Sequence, residues 1–192
     1  PPSLVKGLRS CLPTQGEVYT PYGATESLPI CHIKGRNLSE IYASTSLQNF
    51  SHGICIGFPV EDTMVRVIPV QKTSLEKDEE LIDLPTFTVG EISVSGKQVS
   101  REYYQNQTAT KISKYQDRSG VLWHRMGDLG YRDKEGRLWF CGRKNHRVQG
   151  HWGFLDPIPT ERVFSAHPEV NRCALVAFKT KGDLLPCLVV ET

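Results

Sequence analysis

The stretch YRDKEGRLWFCGR, Tyr131 to Arg143, decides how this chain is read. Asp133 to Gly136 has the composition of a tight turn, because Asp bonds its own backbone and Gly accepts left-handed dihedrals. Short apolar runs on either side predict a β-hairpin, with Leu138 and Phe140 on one face. Working upstream, TVGEISVSG (Thr88 to Gly96) predicts a strand with glycine at both ends. TMVRVIPV (Thr63 to Val70) alternates and is rich in branched residues, as a half-buried strand should be. GICIGFPV and EVYTP add two more β segments. Helical signals are fewer: LVKGLRSCL near the start and REYYQNQTATKIS before the hairpin. Residues Gly35 to His52 read as polar and irregular, and TSLEKDEELIDLP as an acidic surface excursion.

Beyond Arg143 the character changes. KNHRVQGHWG is polar and basic, as a linker would be, and PTERVFSAHPEV predicts a helix capped by Thr160, with Val163 and Phe164 facing inward. RCALVAFK and LLPCLVVE predict two strands. The fold class is therefore α/β in the α+β sense, with a large antiparallel component. A β-rich unit spans 1–144, and a second α/β unit opens at 145–192. The chain stops on an apolar strand with no closing element, which predicts a fragment.

Bulk properties narrow the function. The 192 residues are 39% hydrophobic and 23% charged, which fits a globular protein, and no apolar run is long enough to cross a bilayer. A net charge of +2 argues against a dedicated nucleic-acid binder, and the basic run GRKNHRVQGH lacks interleaved aromatics. The six cysteines are scattered without a Cys-x-x-Cys pair, predicting reduced thiols in a cytoplasmic protein. The six histidines form no His-Glu-x-x-His pattern, so no zinc site is expected.

Three motifs carry chemistry. In Tyr22-Gly23-Ala24-Thr25-Glu26, Gly23 permits a tight turn, Tyr22 can offer its face to a flat ring, and Thr25 can donate to a phosphate oxygen. Glu26 is a hard oxygen ligand suited to Mg²⁺ carried by phosphates. The competing reading is a strand-to-helix turn in which Thr25 is the N-cap and Glu26 favours the helix dipole. In Gly127-Asp128-Leu129-Gly130-Tyr131, the Asp128 carboxylate can accept from two adjacent hydroxyls, as on a ribose; alternatively it is a solvated acid before a strand. Gly142-Arg143 ends the hairpin that Asp128 begins, so Arg143 can return to Asp128, either to bind ribose or phosphate oxygens or as a surface ion pair.

Taken in this order, YGATE, then RMGDLGYRDKEGRLWFCGR, then a basic hinge, the sequence resembles the adenylate-forming superfamily over nearly its whole length. The wording YTPYGATESLP, WHRMGDLGY and GRLWFCGRKNHRV is most similar to olefin β-lactone synthetases, which sit beside fatty-acid CoA ligase-like proteins. The resemblance implies that 1–144 ends a large AMP-binding domain with a β-barrel-like subdomain, and that 145–192 begins a small C-terminal domain. It implies ATP and Mg²⁺ as cofactors, with CoA needed only by the ligase alternative. Tyr22 and Gly23 would meet adenine, Thr25 the α-phosphate, and Glu26 the Mg²⁺. Thr25 and Glu26 would be the catalytic pair, Asp128 and Arg143 would hold the ribose, and Asn145 would be the pivot. The implied partners are ATP, a fatty or 3-hydroxy fatty acid, and a missing upstream half of the same protein. The sequence departs from the family at Met126, where most relatives carry Thr, and at Asn145, where Asp or Lys is usual. The family's phosphate loop and its late catalytic Lys are absent from residues 1–192, so the chain alone is expected to be inactive. A non-catalytic remnant is the third reading.

Overall fold

A computed structural model describes residues 2–44, 53–71, 82–180 and 184–192. Its centre is the hairpin of β7 (Leu122–Arg132) and β8 (Leu138–Arg143). Asp133 closes the turn between them. Its Oδ1 accepts from the backbone N–H of Glu135 at 3.1 Å and of Arg137 at 2.8 Å, and its Oδ2 accepts from Trp139 Nε1 at 2.7 Å. Gly136 takes the left-handed dihedral the turn requires, at φ +83°.

Among the described residues, eight strands form one sheet around this hairpin. The order is β1 (Tyr19–Ala24), β2 (Ser27–Lys34), β3 (Ile54–Pro59), β8, β7, β5 (Gly90–Ser95) and β4 (Met64–Ile68), with β6 (Lys114–Gln116) also paired to β7. Every neighbouring pair is antiparallel. Both faces of the sheet are covered. One carries Ile30, Val65, Val67, Ile92, Val94, Met126 and Leu138. The other carries Ile33, Cys55, Leu129, Tyr131, Trp139 and Cys141, covered by Val5 of α1 (Pro2–Ser10) and Leu38 of α2 (Gly35–Ser44). Burial of such side chains is worth about 1.5–3 kcal/mol each, which is what holds strands distant in sequence together.

The helix α2 corrects the reading of Gly35 to His52 as irregular. Leu38, Ile41 and Tyr42 recur at helical spacing and pack on the core, a short period hidden among polar neighbours; residues 45–52 lie outside the described residues. Most of the acidic excursion, 72–81, also lies outside them. Its end is tied down, because Asp83 Oδ1 accepts from Val67 N at 2.8 Å and Leu84 packs on the core. The REYYQNQTATKIS helix is α3 (Gln107–Ser113), capped by Asn106, whose Oδ1 accepts from Ala109 N at 3.0 Å.

The expected linker after Arg143 is ordered: a 3₁₀ turn (Lys144–His146), then β9 (Val148–Gly150) paired with β10 (Gly153–Leu155). Val148 is buried, which gives this polar stretch an anchor. Helix α4 (Pro157–Phe164) starts three residues before Thr160, with Asp156 at its N-cap; Thr160 is inside it and donates to Asp156 O at 2.7 Å. Proline at the first helical position explains the earlier start. Val163 and Phe164 are 48% and 46% exposed, so they do not face inward as expected. They line an apolar cleft of about 510 Å³ with Phe87, Tyr131, Phe154 and Pro159. The two predicted strands, β11 (Arg172–Lys179) and β12 (Leu184–Glu191), pair antiparallel. No helix among the described residues is long and apolar enough to cross a membrane.

Candidate nucleotide site

Two irregularities in the sheet build the site. In the β7–β8 ladder, Gly130 faces Phe140 and Leu129 faces Gly142, so Cys141 is an extra residue. A bulge of this kind reverses the alternation beyond it. Trp139 and Cys141 lie on the face covered by α1 and α2. Regular alternation would send Arg143 there too. The bulge instead brings Arg143 opposite Asp128, on the other face. Gly142 absorbs the distortion at φ +117°, and a β-carbon there would strike Pro157. In the β5–β7 ladder, Met126, Gly127 and Asp128 together stand opposite Ile92, with Gly127 at φ +65°. Asp128 is thus framed by two bulges, and both use a glycine of the motifs read from the sequence.

Asp128 is 4% exposed and doubly engaged. Its Oδ1 accepts from Arg143 Nη1 at 2.7 Å, and its Oδ2 from the Tyr22 hydroxyl at 2.6 Å, across 106 residues of sequence. The Tyr22 ring packs 6.0 Å from Phe140. Burial, then the Asp128 charge, pushes the Tyr22 hydroxyl far above its ordinary range, so it is a permanent donor. The hydrogen bond to Asp128 also raises the Arg143 pKa. Arg143 is more than half exposed, so this pair holds loosely and can exchange partners at little cost.

Thr25 and Glu26 occupy the turn of the β1–β2 hairpin, where Ala24 pairs with Ser27. No helix follows, so the N-cap reading of Thr25 is set aside. Gly23 is required there, because a β-carbon would overlap Ser27 O and Leu28. Thr25 is exposed at the tip, outside the hydrogen bonds that join Tyr22, Asp128 and Arg143. Glu26 is half-buried, and Tyr103 donates to its Oε1 at 2.7 Å. That bond, more than any charge nearby, holds the Glu26 carboxyl below its usual range. The Arg143 guanidinium feels both Asp128 and Glu26, so the two halves form one electrostatic neighbourhood. Asn145 is exposed within the 3₁₀ turn. Met126 is buried in the core, so its departure from the family pattern falls on packing.

The arrangement fits a nucleotide and its metal. A carboxylate offers about four acceptor sites, and Tyr22 and Arg143 use two of those on Asp128, leaving as many as a ribose diol needs. Glu26 is an ionised hard ligand at the rim. Among the described residues no cluster of three His, Cys, Asp or Glu side chains could cage a metal. One carboxylate plus phosphates and water is the ligand set Mg²⁺ accepts.

Sequence reading missed two supporting networks. Tyr103 is the first; nothing in REYYQ separates it from Tyr104. The second is buried: Glu91 accepts from Arg125 Nη2 at 2.8 Å and Lys144 Nζ at 2.8 Å, and both cations also donate to Gln71 O. Its signal was a lone acid in the otherwise uncharged run GEISVS. Of the unbridged cysteines, Cys31, Cys55 and Cys141 are buried, and Cys11 and Cys187 are exposed.

No family model matches the chain. It is 40% identical over its full length to the olefin beta-lactone synthetase of Xanthomonas campestris pv. campestris, covering 34% of that protein. It is 39% identical, again over its full length, to the olefin beta-lactone synthetase of Stenotrophomonas maltophilia, covering 35%. Its fold is similar to O-succinylbenzoate Coenzyme A synthetase from Bacillus subtilis in complex with AMP, with a TM-score of 0.69 and 23% identity, covering all of this chain and 34% of that one. The chain thus spans about a third of the length of the curated relatives it matches.

Proposed function

The chain belongs to the adenylate-forming ligase superfamily, and from that premise we propose that it forms part of an ATP-dependent ligase that closes 3-hydroxy fatty acids into β-lactones. The observation that carries the reading is the Tyr22–Asp128–Arg143 cluster, which joins the β7–β8 hairpin to distant β1 at positions where the resemblance puts a nucleoside clamp. The likeness to two olefin beta-lactone synthetases supports the choice of product.

In this reading residues 1–144 end the nucleotide-binding domain and 145–192 begin the small one, with Asn145 as pivot. The missing upstream half supplies the acyl pocket, and the enzyme acts in the cytoplasm. Asp128 accepts from the ribose hydroxyls, and the Tyr22 hydroxyl keeps its carboxylate in place while the ring borders the base. Arg143, the loosely held partner, yields to the ribose or turns to a phosphate. Thr25, exposed at the hairpin tip, donates to the α-phosphate, and Glu26 holds Mg²⁺. Mg²⁺ held there would neutralise phosphate charge. A carboxylate oxygen of the acid then attacks the α-phosphorus and pyrophosphate leaves. The substrate's own 3-hydroxyl attacks the acyl carbon, AMP departs and the hydroxyl proton is released. Holding that hydroxyl in line is a proximity effect.

The test uses the intact parent enzyme with MgATP and a long-chain 3-hydroxy acid, without CoA. It should release AMP, pyrophosphate and a product one water lighter than the acid, read by mass spectrometry after gentle work-up. AMP release that depends on CoA, with a thioester product, would replace the lactone reading by that of a fatty acyl-CoA ligase. No turnover in either case would leave a non-catalytic remnant.

A further inference from the structure

Glu26 and Tyr103 come together across 77 residues of sequence. Tyr103 lies between β5 and α3, in a segment held at several points. Its backbone N–H donates to Thr110 Oγ1 at 2.9 Å, and Thr110 Oγ1 donates to Asn106 O at 2.9 Å, locking the tyrosine to the capped end of α3. Ser100 N donates to Glu26 O at 2.8 Å, fastening the same segment to the β1–β2 hairpin. The Lys114 ammonium sits 5.7 Å from the Tyr103 ring centroid and donates to Ser100 Oγ at 3.0 Å. The adjacent Tyr104 is 88% exposed, so the backbone selects one of two neighbouring tyrosines.

We propose that Tyr103 is a positioning residue for the metal–nucleotide: its hydroxyl immobilises Oε1 of Glu26, leaving Oε2 as the oxygen offered to the cation. A flexible glutamate at a hairpin turn would otherwise lose rotamer entropy when it bound. The anchored carboxylate has already lost it. The proposal rests on the reading of Glu26 as the metal ligand.

The experiment labels the glutamate side-chain carboxyls of this chain with ¹³C and identifies the Glu26 signal by its loss in Glu26→Gln. Tyr103→Phe, which removes one hydroxyl, should shift the Glu26 carboxyl resonance at neutral pH, and Tyr104→Phe should leave it in place. Mn²⁺ added with ATP should broaden the Glu26 signal in the unaltered chain, and Tyr103→Phe should need several-fold more Mn²⁺ for the same effect. An unmoved Glu26 resonance in Tyr103→Phe overturns the hydrogen bond and the proposal with it. Equal Mn²⁺ requirements in both proteins overturn the positioning role alone. Absence of broadening in the unaltered chain overturns the reading of Glu26 as metal ligand. Thermal melting of each variant separates these outcomes from misfolding.

Discussion

Removing the Tyr22 hydroxyl should have opposite effects depending on whether Asp128 is present. In the unaltered chain, Tyr22→Phe takes a charge-assisted donor from a carboxylate that is 4% exposed. Hydrogen bonds to charged groups contribute about 1.5–3 kcal/mol, so a loss of that size is expected. Asp128→Ala acts through the other partner. Arg143 turns to solvent at a cost of about 1 kcal/mol or less, but the Tyr22 hydroxyl is stranded without its acceptor, which costs about 1–3 kcal/mol. Adding Tyr22→Phe to Asp128→Ala deletes the stranded group and should restore about 1 kcal/mol. The coupling between the two sites is then about 2.5–4 kcal/mol. Urea unfolding followed by tryptophan fluorescence measures all four proteins, since Trp123 and Trp139 are buried in the fold. If Tyr22→Phe costs the same in both backgrounds, the Tyr22–Asp128 bond does not hold the two segments together and the clamp is not preassembled.

Two further perturbations test the supporting networks. Glu91→Gln takes from Arg125, whose side chain is 2% exposed, the carboxylate it donates to at 2.8 Å, and should cost about 3–5 kcal/mol; a urea-measured loss under about 1 kcal/mol would show that the other partners of Arg125 suffice. His124 is 3% exposed, and burial, aided by Lys114, lowers its pKa from 6.5 to about 4. Because the unfolded chain protonates first, stability is full above pH 6.5 and falls as the pH drops toward 4, by about 2 kcal/mol at pH 5. His124→Phe should flatten that fall between pH 7 and 5, and an unchanged slope would exclude His124 as its source.

The strands were legible because their patterns are local. Alternation in Thr63 to Val70 and turn chemistry at Asp133 to Gly136 act within a few residues, and both segments fold as read. The site residues were legible as motifs, yet their geometry was not. Nothing near Tyr22 announces that its hydroxyl meets Asp128, since that contact depends on the strand order of the whole sheet. Helix α2 was missed because three apolar residues among polar ones give a weak period. Helix α4 began early because Pro157 is a favourable first residue, although proline reads as a breaker. Val163 and Phe164 are apolar, but residue type does not say which surface meets them. Tyr103 lay beyond sequence reasoning, because Tyr104 beside it is chemically identical and only the path of the backbone tells them apart.

The extra residue at Cys141 makes chain length itself a determinant of the site. Deleting Cys141, or adding one residue between Trp139 and Gly142, would keep every side chain of the clamp and still turn Arg143 to the opposite side of the sheet, away from Asp128. Substitutions other than at Gly142 can be absorbed there one at a time, whereas a single insertion or deletion inverts the odd–even count of everything that follows. The segment from Trp139 to Arg143 should therefore tolerate changes of residue more readily than changes of number, and Asn145, two positions further on, inherits the same constraint.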